Sequence, residues 1–205
     1  MIEHVVFDIG RVLIAWDPHL AYRDSLPDPS ERTAFLTEIC SPAWNHEQDR
    51  GRPWKAAEAE LVARHPDREA LIRLYRANWL AMVPHAFEES VAILRALAAG
   101  GTDVTLLTNF APDTFAEAER RFPVLRETRG VTVSGRVGLV KPDRAIFDLH
   151  AARFGLDPAA TLFVDDSPAN VAGAIAAGWQ AVPFTDAASL RRDLEARGLD
   201  PGGPA

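Results

Sequence analysis

The sequence predicts an α/β protein whose core is a doubly wound parallel sheet of the Rossmann-like kind, with a helical domain inserted into it. Two observations support this fold class. Short apolar runs end in polar residues, as in Val5–Phe7 before Asp8 and Leu162–Val164 before Asp165, and such runs are typical of buried parallel strands. Between the first run and the later ones lies a long stretch with helical spacing and no strand pattern.

The inserted stretch begins after the first strand, where Trp16-Asp17-Pro18 interrupts the apolar pattern. From there to about Val83, apolar residues recur at helical spacing. Three helix starts are marked by proline, at Asp28-Pro29, Arg52-Pro53 and Pro66-Asp67. We therefore predict a helical cap domain over residues 17–83 and a core domain built from residues 1–16 and 84–205.

From about Phe87 onwards, helical and strand patterns alternate, which is typical of βα units and a doubly wound sheet. Gly100-Gly101 ends the first of these helices, and Ser167-Pro168 begins a later one. The predicted strands of this part are Val104–Leu107, Val131–Val133, Leu162–Asp165 and Ala181–Phe184.

Composition narrows the function classes. The 205-residue chain has a net charge of −7, so neither nucleic acid nor an anionic membrane is an expected partner. No apolar stretch approaches the ~18 residues of a membrane span. The single cysteine, Cys40, excludes an intrachain disulfide framework and suits a buried structural thiol. We expect a cytoplasmic protein, monomeric or homodimeric.

Reactive residues follow the predicted strands, at the edge where open α/β sheets bind ligands. Asp8 and the Asp165-Asp166 pair supply oxygen ligands that suit Mg²⁺. Lys141 is a compact cation for a phosphoryl oxygen, and Thr108-Asn109 adds hydrogen-bond donors. Taken singly, each of these residues is readily explained by a turn, a helix cap or a solvated helix start. The ordered set instead indicates phosphoryl transfer through an aspartate, with a small phosphorylated metabolite as the expected partner.

Four motifs follow one another along the chain: Val5–Leu13, Leu106–Asn109, Gly138–Asp143 with Ile146-Phe147, and Phe163–Asn170. In these motifs the chain resembles the haloacid dehalogenase-like hydrolases, and most closely their bacterial sugar-phosphate phosphatases of the α-D-glucose-1-phosphate type. The resemblance spans almost the whole chain, including a helical cap after the first motif.

The resemblance implies that Asp8 is the nucleophile and forms an aspartyl-phosphate that water then hydrolyses. The implied Mg²⁺ ligands are Asp8, the backbone carbonyl of Gly10, Asp166 and, directly or through a bound water, Asp165. The residues implied to hold the phosphoryl oxygens are Thr108, Asn109 and Lys141.

Two residues depart from the family pattern. Gly10 stands where most of the phosphatases carry an aspartate that acts as general acid and base. We therefore expect either a preference for esters with good leaving groups, such as anomeric sugar phosphates, or a proton donor from the cap. Arg11 stands where Asn or Gly is usual, and it either adds positive charge at the pocket rim or points to solvent.

Within the cap, Trp44–Gly51 resembles a stretch that faces the active site in such enzymes. His46 and Arg50 are the candidates for contacting the leaving group. The alternative is that Trp44 packs inside the cap while the charged residues solvate a helix.

Three functions remain open. The first is a Mg²⁺-dependent phosphatase of a small metabolite, which the motifs favour. The second is a metal-independent 2-haloacid dehalogenase that uses Asp8 on carbon, although the Asp165-Asp166 pair would repel its carboxylate substrate. The third is a catalytically weak phospho-ligand-binding or regulatory protein that retains the fold.

Overall fold

The computed structural model describes residues 1–203, which contain a five-stranded sheet with every neighbouring pair parallel. Its strands are β1 (His4–Phe7), β2 (Asp103–Thr108), β3 (Val131–Val133), β4 (Thr161–Asp165) and β5 (Gln180–Pro183). Their order across the sheet is β3-β2-β1-β4-β5. The strand order reverses at β1, and such a switch point leaves a crevice at the carboxyl ends of the central strands.

Helices pack around the sheet and make up most of the chain between its strands. The α-helices in residues 1–203 are α1 (Pro29–Glu38), α2 (Pro42–Asp49), α3 (Trp54–Arg64), α4 (Glu69–Ala77), α5 (Glu88–Ala99), α6 (Pro112–Arg121), α7 (Ser134–Val137), α8 (Arg144–Phe154), α9 (Pro168–Ala176) and α10 (Ala187–Glu195). Short 3₁₀ helices cover Pro18–Tyr22, Pro66–Arg68, Trp79–Met82, Pro123–Arg126 and Pro158–Ala160. None of the helices in this part of the chain is long and apolar enough to cross a membrane.

Both faces of the sheet are buried, which confirms the predicted doubly wound core. Side chains alternate between the two faces of a strand. Val5 and Phe7 accordingly join one hydrophobic cluster, whereas Val6 joins a second cluster with Leu107 and Phe163. A strand covered on both sides has no polar face, which is why β1 reads as a continuous apolar run in the sequence.

The segment between β1 and α5, residues 17–83, is helical and is called the helical insertion below. The helices predicted after Asp28-Pro29 and Arg52-Pro53 are present as α1 and α3, and the third begins as a 3₁₀ turn before α4. The Asp28 carboxylate caps α1 by accepting the N–H groups of Ser30 and Glu31. Helix α2, which begins at Pro42, adds a fourth helix to the three predicted from the sequence.

Aromatic packing forms the centre of the helical insertion. The ring centroids of Trp44 and Tyr75 lie 5.3 Å apart, and Trp54 lies within 5.8 Å of both. Such pairs contribute about 0.5–1.5 kcal/mol each beyond the area that they bury. Trp44 therefore packs inside the insertion, and Cys40 is a buried thiol there, as predicted.

The helical insertion docks on α6 of the core through polar contacts. The indole N–H of Trp54 donates to Asp113 at 3.0 Å, and Arg76 pairs with Asp113 at 3.2 Å and with Glu117 at 2.6 Å. Buried apolar residues of the insertion also belong to the same hydrophobic cluster as β1. These contacts hold the insertion over the carboxyl edge of the sheet. The division into a core domain and a cap domain at residues 17 and 83 stays a prediction.

Candidate active site

Three neighbouring strands end at the site. Phe7 of β1 is level with Leu106 of β2 and Val164 of β4. Because the strands are parallel, Asp8, Thr108 and Asp165 emerge together at the carboxyl edge of the sheet. The grouping of reactive residues that the strand-end pattern predicted is therefore present in the fold.

Lys141 joins two of these carboxylates. Its Nζ lies 2.7 Å from Oδ1 of Asp8 and 2.7 Å from Oδ2 of Asp165, and it donates to the carbonyl of Leu107 at 3.1 Å. The three acceptors match the three N–H donors of an ammonium group. Burial lowers the pKa of Lys141, but the charges of Asp8 and Asp165 outweigh that effect and leave it raised. The buried side chain is therefore a permanent cation.

The main chain at Lys141 is held by Asn109. The Asn109 amide donates to the Lys141 carbonyl at 2.9 Å, and its oxygen accepts the Lys141 N–H at 2.8 Å. Asn109 also lines the pocket, but this reciprocal pair uses both polar ends of its side chain. Asn109 therefore positions Lys141, and the phosphoryl contact predicted for it stays a prediction, because its amide group has a second N–H donor. Thr108 is buried and lines the pocket beside it.

A close helix contact supports the same loop from the other side. A Cβ atom at Gly173 of α9 would lie 2.6 Å from the carbonyl oxygen of Pro142. Only glycine lets α9 approach the Lys141-Pro142 main chain this closely. The position of Lys141 therefore depends on Asn109, which follows β2, and on Gly173 of α9 as well as on its own loop.

Asp8 is largely shielded from bulk water but lines the pocket. It is 7% exposed. Burial raises its pKa to about 7, the Lys141 charge opposes the rise, and the Asp165 charge adds to it. A cation that enters beside Asp8 would offset both the burial and the repulsion from Asp165.

Three carboxylates form the candidate metal centre. Oxygen atoms of Asp8, Asp165 and Asp166 lie within 4.8 Å of one another. Both oxygens of Asp165 accept hydrogen bonds from the Asn170 amide. The Lys141 ammonium also donates to Oδ2, and the Ser167 N–H also donates to Oδ1. Asp166 is half-buried, and burial together with the Asp165 charge raises its pKa. Such an all-oxygen donor set with unsatisfied negative charge fits Mg²⁺.

Gly10 and Arg11 shape the mouth of the site. Nothing lies within 4 Å of a Cβ built at Gly10, which lines the pocket. The guanidinium of Arg11 lies 5.0 Å from the centre of the Trp16 ring and 3.8 Å from Oδ2 of Asp166. Arg11 also lines the pocket. Its guanidinium therefore lies at the pocket rim, which is one of the two positions predicted for it.

The pocket above Asp8 has a volume of about 220 Å³, and the helical insertion forms one of its walls. The insertion residues that line it are Asn45, Asp49, Trp54 and Trp79. His46 and Arg50, predicted from the sequence to contact the leaving group, are absent from this lining, and Arg50 instead pairs with Asp143 at 3.6 Å.

The rotation of α2 about its axis explains why His46 and Arg50 do not line the pocket. Residues four apart share a helix face, and the face that meets the pocket carries Asn45 and Asp49 rather than His46 and Arg50. Asp49 lies between the two predicted residues and was missed. The four-residue spacing of Asn45 and Asp49 was the available signal, but the sequence alone does not show which face of α2 meets the core.

The sequence pattern of the haloacid dehalogenase-like hydrolase family matches residues 2–178. The chain belongs to this family. A relative with a known activity, the sesquiterpene phosphatase astK of Aspergillus oryzae, is 29% identical over 95% of this chain and 94% of its own. The resemblance to the haloacid dehalogenase-like hydrolases that the four motifs indicated is thereby confirmed, and the chain is a hydrolase with phosphatase relatives.

Solved structures share the fold over nearly the full chain. A HAD-like family hydrolase from Porphyromonas gingivalis has a TM-score of 0.75 at 26% identity, covering 96% of this chain and 97% of its own. The HAD family enzyme BT-2542 of Bacteroides thetaiotaomicron, complexed with magnesium and inorganic phosphate, has a TM-score of 0.68 at 21% identity, covering 90% and 95%. L-2-haloacid dehalogenase from Xanthobacter autotrophicus has a TM-score of 0.65 at 19% identity, covering 96% and 83%.

Proposed function

We propose that this hydrolase releases phosphate from a small-molecule phosphate monoester in a Mg²⁺-dependent reaction, with Asp8 as the nucleophile. The observation that carries the proposal is the bridge from Lys141 to Asp8 and Asp165, at 2.7 Å each, beside the carboxylate of Asp166. This arrangement puts a buried cation next to the attacking oxygen and a cation site next to both.

The charges explain why both cations are needed. A carboxylate repels a phosphate dianion by ~4 kcal/mol per charge pair at ~4 Å and an effective dielectric of ~20. Lys141 offsets part of this repulsion, and Arg11 adds positive charge at the rim. Mg²⁺, when bound, would offset the rest of this repulsion by neutralising negative charge on the phosphoryl oxygens.

Asp8, Asp166 and the backbone carbonyl of Gly10 would hold the metal. Asp165 is better suited to act through a bound water or through Lys141, because both of its oxygens already accept hydrogen bonds. BT-2542, which shares the fold, was crystallised with magnesium and inorganic phosphate, and this supports Mg²⁺ as the metal proposed here.

A sugar phosphate is the substrate class that we propose. The pocket walls include the aromatic side chains of Trp16, Trp54 and Trp79, with the amide of Asn45 among them. Flat aromatic faces suit the C–H faces of a sugar ring, and the amide can bind a hydroxyl group. The same walls would also accept a terpenyl chain, so both kinds of ester belong in the test.

The test is phosphate release from a panel of sugar phosphates and terpenyl phosphates, with and without Mg²⁺. We expect release that EDTA abolishes and that Asp8→Asn removes, with sugar phosphates preferred. Preference for terpenyl phosphates would overturn the proposed substrate class. Halide release from 2-haloacids that EDTA does not affect would indicate the dehalogenase instead, and no turnover of either kind would leave a binding protein.

A further inference from the structure

The direction in which the leaving group departs follows from the position of Asp8. In phosphoryl transfer the attacking and leaving oxygens lie roughly in line across phosphorus. Asp8 attacks from the sheet edge at the end of β1. The leaving oxygen therefore points away from the sheet, towards the pocket wall that the helical insertion provides. An alkoxide that departs there needs a proton donor on that wall.

Elimination leaves a single donor among the described residues. The ionisable residues that line the pocket are Asp8, Arg11, Asp49, Lys141 and Asp166. Asp8 is the nucleophile, and the guanidinium of Arg11 does not give up its proton in proteins. Lys141 is held between two carboxylates, and Asp166 belongs to the candidate metal centre. Asp49 is the acid that remains, and it belongs to the insertion.

Asp49 is held firmly at the junction between the insertion and the core. The amide of Asn45 donates to its Oδ2 at 3.2 Å. The hydroxyl of Ser134 donates to its backbone carbonyl at 2.5 Å, and the N–H of Ala111 is directed at its carboxylate. Asn45 of α2 and the loop before α6 thus orient the carboxyl group, and Ser134 of α7 holds the main chain of Asp49.

The surroundings of Asp49 favour the protonated acid. Burial raises its pKa to about 7, and the charge of Asp8 adds to the rise, while the Ala111 N–H and Lys141 oppose it. Tyr75 lies close enough for the charge of Asp49 to add to the burial that raises the pKa of Tyr75. Asp49 is the last residue of α2, and the negative end of the helix dipole favours the neutral form. A carboxylic acid with a pKa near the working pH is suited to proton transfer.

We propose that Asp49 is the general acid and base of this hydrolase, an inference that rests on the proposed phosphatase function. As Asp8 bonds to phosphorus and the bond from phosphorus to the ester oxygen breaks, Asp49 gives its proton to that oxygen and the alcohol leaves. Water then attacks the phosphorus of the aspartyl-phosphate and gives a proton to Asp49. The Asp8–phosphate bond breaks, which releases phosphate and restores both side chains.

The test compares kcat/KM for p-nitrophenyl phosphate, whose leaving group needs no proton, with kcat/KM for an alkyl phosphate. In Asp49→Asn we expect the alkyl value to fall about 100-fold or more, because general acid catalysis contributes that much, while the aryl value stays within about threefold. Asp113→Asn is the control, since it loosens the docking of Trp54 and Arg76 without touching the pocket acid. It should leave the ratio of the two values unchanged.

The first of two further measurements uses the wild type and keeps the inference testable even if Asp49→Asn folds poorly. In the wild type, kcat/KM should depend only weakly on leaving-group pKa, because the proton is supplied. The space at Gly10 allows Gly10→Asp, and this change in the Asp49→Asn background should recover alkyl phosphate hydrolysis at least about tenfold.

Equal losses for aryl and alkyl esters, or a steep leaving-group dependence in the wild type, would overturn the role of Asp49 and leave the phosphatase proposal standing. A wild type that hydrolyses no phosphate ester would overturn both.

Discussion

Replacing Lys141 with Met tests the electrostatic centre of the site. The change keeps an unbranched side chain of similar length and removes the ammonium group. Lys141 is 1% exposed, and its two partners are buried with it. In the variant, Asp8 and Asp165 would face each other without a cation between them.

The expected loss of stability follows from the geometry. Each pair at 2.7 Å is worth ~6 kcal/mol at an effective dielectric of ~20, and the cost of removing the charges from water offsets much of that gain. Removing one partner of a buried pair costs about 3–5 kcal/mol, because a charge stays buried without compensation. We expect a loss in this range for Lys141→Met at pH 8 without Mg²⁺.

The loss should depend on pH in a defined direction. The pKa of Asp8 is already raised to about 7 with Lys141 present, and it rises further without that cation. A carboxyl group whose folded pKa is raised stabilises the fold at low pH and loses that effect as the pH rises through the folded pKa. The gap between wild type and variant should therefore grow by about 1.4 kcal/mol from pH 6 to pH 8.

Urea unfolding in EDTA at the two pH values measures this gap, and the chain's other lysine provides the control. Lys55→Met changes an exposed side chain of α3 and should stay within about 0.5 kcal/mol of the wild type. A gap below about 1 kcal/mol for Lys141→Met, or one that does not change with pH, would refute the reasoning.

Two further predictions concern buried groups around the sheet. Burial lowers the pKa of His150 to about 3, so acid favours the unfolded chain, in which the imidazole can take up a proton. From pH 7 to pH 5 this residue should lower the free energy of unfolding by about 2 kcal/mol. Urea unfolding of His150→Gln should lack this part of the pH dependence. Gly173→Ala places a methyl group 2.6 Å from the Pro142 carbonyl. This variant should lose about 1–3 kcal/mol of stability and should release phosphate more slowly, because Lys141 is displaced. In Gly10→Ala the added methyl group meets nothing within 4 Å, so its stability should stay within about 0.5 kcal/mol of the wild type. Equal losses in the two glycine variants would contradict this.

The strand-end residues were predictable because their signal is local. A buried parallel strand reads as an unbroken apolar run, and the residue after it lies at the sheet edge whatever the rest of the chain does. Asp8, Thr108 and Asp165 follow this rule, and the structure brings them together as expected.

The roles that sequence reasoning missed depend on tertiary contacts. The amide of Asn109 binds the main chain of Lys141, which lies 32 residues further along the chain, and no local pattern encodes that pairing. The pocket face of α2 depends on how the insertion packs against α6 and α7, so helical spacing alone did not separate Asp49 from His46 and Arg50. Contacts between residues that are far apart in the sequence, at the site and between the helical insertion and the core, become visible only in the folded chain.

The central claim is that Asp8 receives the phosphoryl group. The most direct measurement is rapid acid quenching during turnover of a phosphate ester that the panel identifies, followed by mass spectrometry of the digested protein. We predict one phosphoryl group on the peptide that contains Asp8, and neither the modified peptide nor turnover in Asp8→Asn. Undiminished hydrolysis by Asp8→Asn, or a phosphoryl group on a different residue, would contradict the claim.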